Sequence, residues 1–297
     1  MENNKIKDKI DDLVESLNRA SKAYYNGADE IMPNYEWDAL FDELTQLEEK
    51  TGYIRPDSPT HNAGYEAEAG NREPHEYPAL SLAKTKSIEE LKKWAGDMPI
   101  WLSWKLDGLT LVLTYDGGRL VKILTRGNGT VGSNITFLRD AISGFPKEIP
   151  YKGHMVVRGE ATISYTDFKL LNDTIEDDDE KYANPRNLAS GTLNLDDVEE
   201  VKRRHVVFYA FTLVHIDDDI ISWGDRMSYL SDMKFNVVKR EATDAARLEE
   251  AVKRWTRDVE SGRMDVPVDG LVICYDDTAF ASGGSVTGHH ATRAGFA

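Results

Sequence analysis

The sequence predicts an α+β protein in which a small helical module precedes a larger domain of antiparallel strands with flanking helices. Three observations carry this. Within residues 5–50 apolar residues recur at helical spacing: Ile6, Ile10, Leu13, Leu17 and Ala20, then Leu40, Leu44 and Leu47. From about residue 77 short apolar runs alternate with turn residues, as strands do. Between two of those runs Asp116-Gly117-Gly118 is a hairpin signal, which makes the neighbouring strands antiparallel. The expected division is 1–68 for the helical module and 69–297 for the mixed domain.

Taken in order, the first helix is expected to end in a loop at Tyr24-Tyr25-Asn26-Gly27. Asn34 then suits the N-cap of a second helix, with Trp37 and Asp38 in its first turn. Thr51-Gly52 ends that helix, and residues 55–76, rich in proline, glycine, asparagine and charge, read as a linker. Strands are expected at 101–106, 109–115, 119–125, 155–163, 205–214 and 268–275. Helices are expected at 87–96, 133–143, 165–172, 223–233 and 245–260, with Thr243 as the N-cap of the last. The acidic run 176–180 reads as a solvated loop, because contiguous carboxylates repel.

Composition bounds the function. The chain has 297 residues, 40% hydrophobic and 30% charged, ordinary values for a globular protein. It carries no apolar run near the ~18–20 residues that span a membrane. One cysteine, Cys274, excludes an internal disulfide or a multi-cysteine zinc site and fits the reducing cytoplasm. A net charge of −16 does not suit direct gripping of nucleic acid, where cations must replace phosphate counterions. The last residues read like a strand cut short, so a fragment of something longer is expected.

The most informative residue is Lys105, in Trp104-Lys105-Leu106-Asp107-Gly108. Strand alternation sets Lys105 and Asp107 on one face and Trp104 and Leu106 on the other. Burial disfavours the ammonium form of a lysine, and the neutral amine is a nucleophile. Gly108 permits close approach at the turn. A surface Lys/Asp pair would explain these residues equally well by themselves. Five more segments change that: His75 to Leu82, Thr125-Arg126-Gly127-Asn128-Gly129, Val157-Arg158-Gly159-Glu160, Ala183-Asn184-Pro185-Arg186-Asn187, read as a rigid turn, and Val268-Asp269-Gly270-Leu271-Val272-Ile273.

In this order and spacing the segments resemble the adenylation domain of NAD-dependent bacterial DNA ligases. Tyr24-Tyr25, then Pro33-Asn34-Tyr35-Glu36-Trp37-Asp38, resembles the helical domain with which that family captures nicotinamide mononucleotide. The resemblance covers essentially the whole chain. It implies a nucleotidyltransferase (ATP-grasp-like ligase) fold, NAD and Mg²⁺ as cofactors, and attack of Lys105 on the adenylyl phosphorus to give lysyl-AMP. It implies that Asp107 helps orient Lys105, that Glu160 holds the ribose hydroxyls, and that Arg126 and Arg186 face phosphate or ribose. Ser81 and Leu82 would line the adenine, Gly108 and Asp269 belong to the nucleotide site, and Tyr24, Tyr25, Trp37 and Asp38 would hold the nicotinamide nucleotide. No protein-held metal site is expected. Nicked DNA is the implied partner of a full-length protein, with weak DNA binding and a monomeric state expected for this chain.

The chain departs from the family pattern at several points. Ser103 stands where a carboxylate is usual and Cys274 where a phosphate-contacting lysine is usual. Tyr25, Asn34, Trp37 and Asn128 replace histidine, aspartate, tyrosine and aspartate. Two alternatives follow, a catalytically impaired NAD-binding module or an ATP-using nucleotidyltransferase.

Overall fold

The computed structural model describes residues 2–25, 31–32, 34–60, 71–79, 82–176, 181–283, 286–287, 290–291 and 295–297. Helices α1 (Glu2–Tyr25) and α2 (Asn34–Thr51) form the N-terminal module. Their apolar stripes meet in a small core of Ile10, Leu13, Val14, Leu17 and Leu44, the helical repeat read from the sequence. Helix α1 continues through Tyr24 and Tyr25, where a loop is expected, and Asn34 is the first residue of α2 rather than its cap.

The rest of the chain runs through β1 (Arg72–Pro74), α3 (Ile88–Ala95), β2 (Ile100–Leu106), β3 (Leu109–Asp116), β4 (Arg119–Thr125) and β5 (Val131–Ser133). Next come β6 (Met155–Thr162), α4 (Tyr165–Asn172), α5 (Pro185–Leu193), α6 (Val198–Arg203) and β7 (Val207–Ile216). Then follow α7 (Trp223–Asp232), β8 (Arg240–Thr243), α8 (Leu248–Glu260), β9 (Val268–Tyr275), α9 (Thr278–Ser282), β10 (Val286–Thr287) and β11 (His290–Ala291). No described helix is long and apolar enough to cross a membrane.

Two sheets organise the domain, one ordered β8-β2-β9 and one β4-β3-β6-β7, and all their pairings are antiparallel. This is the α+β architecture expected. Gly117 and Gly118, both at positive φ, make the predicted tight turn between β3 and β4. In the four-stranded sheet Leu111, Leu113 and Tyr115 of β3 and Met155, Val157 and Ala161 of β6 point into the main core. Thr110 and Glu160, in register across β3 and β6, lie on the opposite face. In the three-stranded sheet Ile100, Leu102, Trp104 and Leu106 pack on a second core with Leu91 of α3 and Leu248, Ala251 and Trp255 of α8. That leaves Trp101, Ser103 and Lys105 on the other face of β2.

Three further local expectations fail. The helix expected at 133–143 is only a 3₁₀ turn at Thr136–Leu138. Ile135, Leu138, Ala141 and Ile142 are buried and Phe137 is exposed, but distant partners take the backbone: Ile135 N–H donates to Ile123 and Ser143 N–H to Val206. Thr243 ends β8 opposite Ile100, and α8 begins only at Leu248 after an Asp244 side-chain turn. Asn184-Pro185-Arg186-Asn187 is a helix start, with the Asn184 side chain accepting from Asn187 N–H and Pro185 at the first position of α5.

Candidate active site

Lys105 sits at the end of β2, about a third exposed, and its Nζ is paired with the carboxylate of Asp269. A register slip makes this possible. Lys105 pairs with Gly270 but Leu106 pairs with Val268, so Asp269 is the extra residue of a β-bulge, which re-aims its side chain. Gly270 takes a φ of 147°, a conformation L side chains rarely adopt. Just beyond β2, Asp107 N–H donates to the Pro267 carbonyl (2.9 Å). Gly108 is required by packing, since a Cβ there would lie 2.2 Å from the Ala161 carbonyl oxygen.

Asp107 accepts from Arg186 Nη1 at 2.8 Å. Thus Asp107, the carboxylate expected to orient Lys105, is held by an arginine, and Asp269 contacts the lysine. Burial lowers the Arg186 guanidinium below its usual range, and the Asp269 charge partly offsets this.

Glu160, on β6, accepts from Thr110 Oγ1 at 2.8 Å. Burial pushes its carboxyl up to about 7, against the Thr110 hydrogen bond and the pull of Lys105 and Arg126. Asp107 adds to the rise. Lys105, Asp107, Arg126 and Glu160 therefore share one electrostatic neighbourhood. The sequence reading missed Thr110, whose even spacing from Gly108 was the available signal.

Arg126 leaves the end of β4 and donates from Nε to the Ala79 carbonyl (3.1 Å). Arg158, two residues before Glu160 on the same strand face, donates from Nη2 to the Tyr77 (2.7 Å) and Pro78 (2.9 Å) carbonyls. Leu82 lies just beyond this segment, half-buried. The expected roles of Ser81, and of the side chains of Tyr24, Tyr25 and Asp38, fall on positions outside the described residues. Trp37 stacks on Phe41 (5.0 Å) and directs its indole N–H to the Leu17 carbonyl and Ser21 Oγ, tying α2 to α1.

The two departures lie on the Lys105 face of the three-stranded sheet. Ser103 is buried opposite Val272 and Arg240, and Cys274 lies opposite Trp101 against the main core. Burial holds the Cys274 thiol well above its usual range, so it is protonated at neutral pH. A neutral thiol reagent is therefore expected to modify the native protein at least ~10-fold more slowly than the urea-unfolded chain, since only the thiolate reacts. Equal rates would show the thiol to be accessible.

A strand-end lysine paired to a carboxylate, with an Arg–Asp pair and a glutamate beside it, is a constellation that can serve nucleophilic catalysis. The comparisons give the family. The pattern of the NAD-dependent DNA ligase adenylation domain matches residues 69–291, and that of the DNA ligase-like N-terminal NAD⁺-binding domain matches residues 3–64. The chain belongs to the family of NAD-dependent DNA ligase adenylation domains. The DNA ligase of Ruminiclostridium cellulolyticum is 42% identical over 272 residues, covering 91% of this chain and 41% of that protein. The DNA ligase of Lachnoclostridium phytofermentans is 40% identical over 277 residues, covering 92% and 42%. This chain thus spans about two fifths of the length of these relatives. Among solved structures, a mycobacterial DNA ligase D complexed with ATP and MES aligns at a TM-score of 0.42 and 14% identity, over 74% of this chain and 59% of that one, a likeness too slight to weigh.

Proposed function

We propose that this chain takes an adenylyl group from NAD onto Lys105, the first step of nick sealing by a longer DNA ligase. The observation that carries the reading is Lys105 paired with Asp269, beside the Asp107–Arg186 pair and Glu160. The bond from Lys105 Nζ to the adenylyl phosphorus forms as the bond to the bridging oxygen breaks. Nicotinamide mononucleotide leaves with that oxygen, and the amine gives up its proton. Storing the nucleotide on the enzyme divides one hard step into two easier ones. Glu160 receives the ribose hydroxyls as an acceptor, while Arg126 and Arg186 meet phosphate or ribose. The helical module receives the nicotinamide nucleotide through Tyr24, Tyr25, Trp37 and Asp38.

Mg²⁺ would neutralise charge on the phosphates. The donor chemistry fits, because Mg²⁺ is usually held by one or two carboxylates together with substrate phosphates, and Asp107, Glu160 and Asp269 bring carboxylates to the site. Among the described residues no three His, Cys, Asp or Glu side chains converge as a metal site by themselves. Transfer to nicked DNA belongs to the longer protein. Cytoplasmic action as a monomer completes the reading, and light scattering tests the second part.

Intact mass after incubation with NAD and Mg²⁺, beside an ATP arm, tests the proposal. One added adenylyl group from NAD alone is expected. Addition from ATP would make the chain an ATP-using nucleotidyltransferase. No addition from either would leave an NAD-binding module.

The Glu160 carboxyl makes this pH-dependent. Because it titrates near 7 when folded, the concentration of NAD that half-saturates adenylation should fall as pH rises through about 7, where the ionised acceptor forms. Glu160→Gln should weaken binding and flatten that profile. Stability runs the opposite way. The folded state holds this proton more tightly than the unfolded chain, so Glu160's contribution is full at low pH and is lost as pH rises to about 7. A thermal-melt series in which Glu160→Gln showed the same pH slope as the wild type would remove Glu160 as the cause.

A further inference from the structure

Arg158 is a half-buried arginine without a carboxylate ion-pair partner among the described residues. Its Nη2 is committed to two consecutive backbone carbonyls, Tyr77 and Pro78, and its buried Nε has no partner. The nearby charges are basic. Burial, then the Arg126 charge, lowers the Arg158 guanidinium to about 10. His75, half-buried, donates from Nε2 to the Arg126 carbonyl (2.9 Å), which leaves its buried Nδ1 unpartnered. An arginine kept for stability alone would be expected to pair with a carboxylate, and this one spends its donors on main chain.

The main chain it holds is a strap. It begins at β1, which pairs with β5, and continues with His75 N–H on the Thr130 carbonyl (2.8 Å) and Ala79 N–H on the Gly129 carbonyl (2.7 Å). The strap is bonded again at Ala83, whose carbonyl accepts from Ala297 N–H (2.8 Å). Between these anchors Arg126 grips the Ala79 carbonyl and Arg158 the two before it. Strand alternation puts Arg158 and Glu160 on one face of β6, two residues apart. The arginine is therefore a rigid spacer between the strap and the carboxylate that shares the Lys105 site.

We infer that Arg158 is a positioning residue for the nucleotide. It fixes the Tyr77–Ala79 strap at a set distance from Glu160, so that the stretch leading to Leu82, expected to line the adenine, and the acceptor for the ribose are in place before the dinucleotide arrives. This rests on the proposed adenylation. Holding this stretch ready lowers the cost of binding and leaves the chemistry at Lys105 largely alone. The role therefore predicts a change in half-saturation rather than in maximal rate.

The test compares the wild-type chain with Arg158→Met, Arg158→Lys and, as a surface control, Arg119→Met, which removes an exposed cation paired with Glu148. Lysyl-AMP formation is followed in single turnovers across NAD concentrations, and amide hydrogen exchange is measured without ligand. Arg158→Met should raise half-saturation roughly tenfold, with a much smaller change in maximal rate. Arg158→Lys, able to reach one carbonyl, should recover part of the loss, and Arg119→Met should change neither parameter. The His75 and Ala79 amides should exchange faster in Arg158→Met, while the β3–β6 amides do not. Unchanged half-saturation, or a fall in maximal rate alone, overturns the inference. If Arg158→Met does not fold, Arg158→Lys is read by the same criteria, with a smaller shift expected. If the wild type forms no adduct, the proposed function fails, and hydrogen exchange decides the strap by itself: unchanged His75 and Ala79 amides overturn it.

Discussion

Replacing Lys105 by alanine is expected to abolish adduct formation from NAD and Mg²⁺ while leaving the fold intact. Lys105 is about a third exposed at the end of β2 and contributes little to either core. Trp104 and Leu106, its neighbours, carry the packing on the other face. Removing the amine removes the atom that would bond to phosphorus, and no described neighbour can replace it. Cys274 lies on the same sheet face, but burial keeps it as a protonated thiol. Lys105→Arg should be equally inactive, because a guanidinium stays protonated. Intact mass detects the missing adenylyl group, and a thermal melt close to that of the wild type shows the loss to be chemical. An adenylated Lys105→Ala protein would place the nucleophile elsewhere and sink the proposed mechanism.

The second large effect is expected at Asp269. Asp269→Asn should slow lysyl-AMP formation at saturating NAD by about 100- to 1,000-fold, the usual range for a group that handles a proton or charge at the reacting atom. The bulge at Lys105/Leu106 spends one residue of β9 to turn this carboxylate onto the lysine amine. Asparagine keeps the shape and removes the charge, so the lysine loses its partner and the departing proton loses a nearby acceptor. Asp269 is half exposed, so the substitution should move the melting temperature little. A rate within threefold of the wild type would assign the proton to solvent or to Asp107. Gly270→Ala should act in the same direction, because its φ of 147° strains any L side chain and disturbs the bulge.

The family was readable because its motifs are local. Lys105, Asp107 and Gly108 follow one another, and Glu160, Arg186 and Asp269 each sit in a short segment whose residue types are unusual together. The hairpin at Gly117-Gly118 and the apolar stripes of α1 and α2 were equally local, since turn geometry and helical periodicity are properties of adjacent residues. Residues 133–143 mark the limit of that reading. Their apolar spacing marked Ile135, Leu138, Ala141 and Ile142 for burial, yet β4 and the segment at Val206 took backbone hydrogen bonds there, and only a 3₁₀ turn formed.

The partnerships inside the site were decided only in three dimensions. Lys105 and Asp107 are two residues apart, and alternation alone suggests that they pair. The turn at Gly108, drawn tight against Ala161, also delivers Asp107 to Arg186, 79 residues away. A one-residue slip in β9, which costs nothing visible in composition or periodicity, delivers Asp269 to Lys105 across 164 residues. By itself the sequence determined which chemical groups this protein possesses and in what order. The tertiary structure decided which of them touch, because the register between strands is set by the burial of whole faces and by bulges, quantities that belong to pairs of distant segments and to no single stretch of chain.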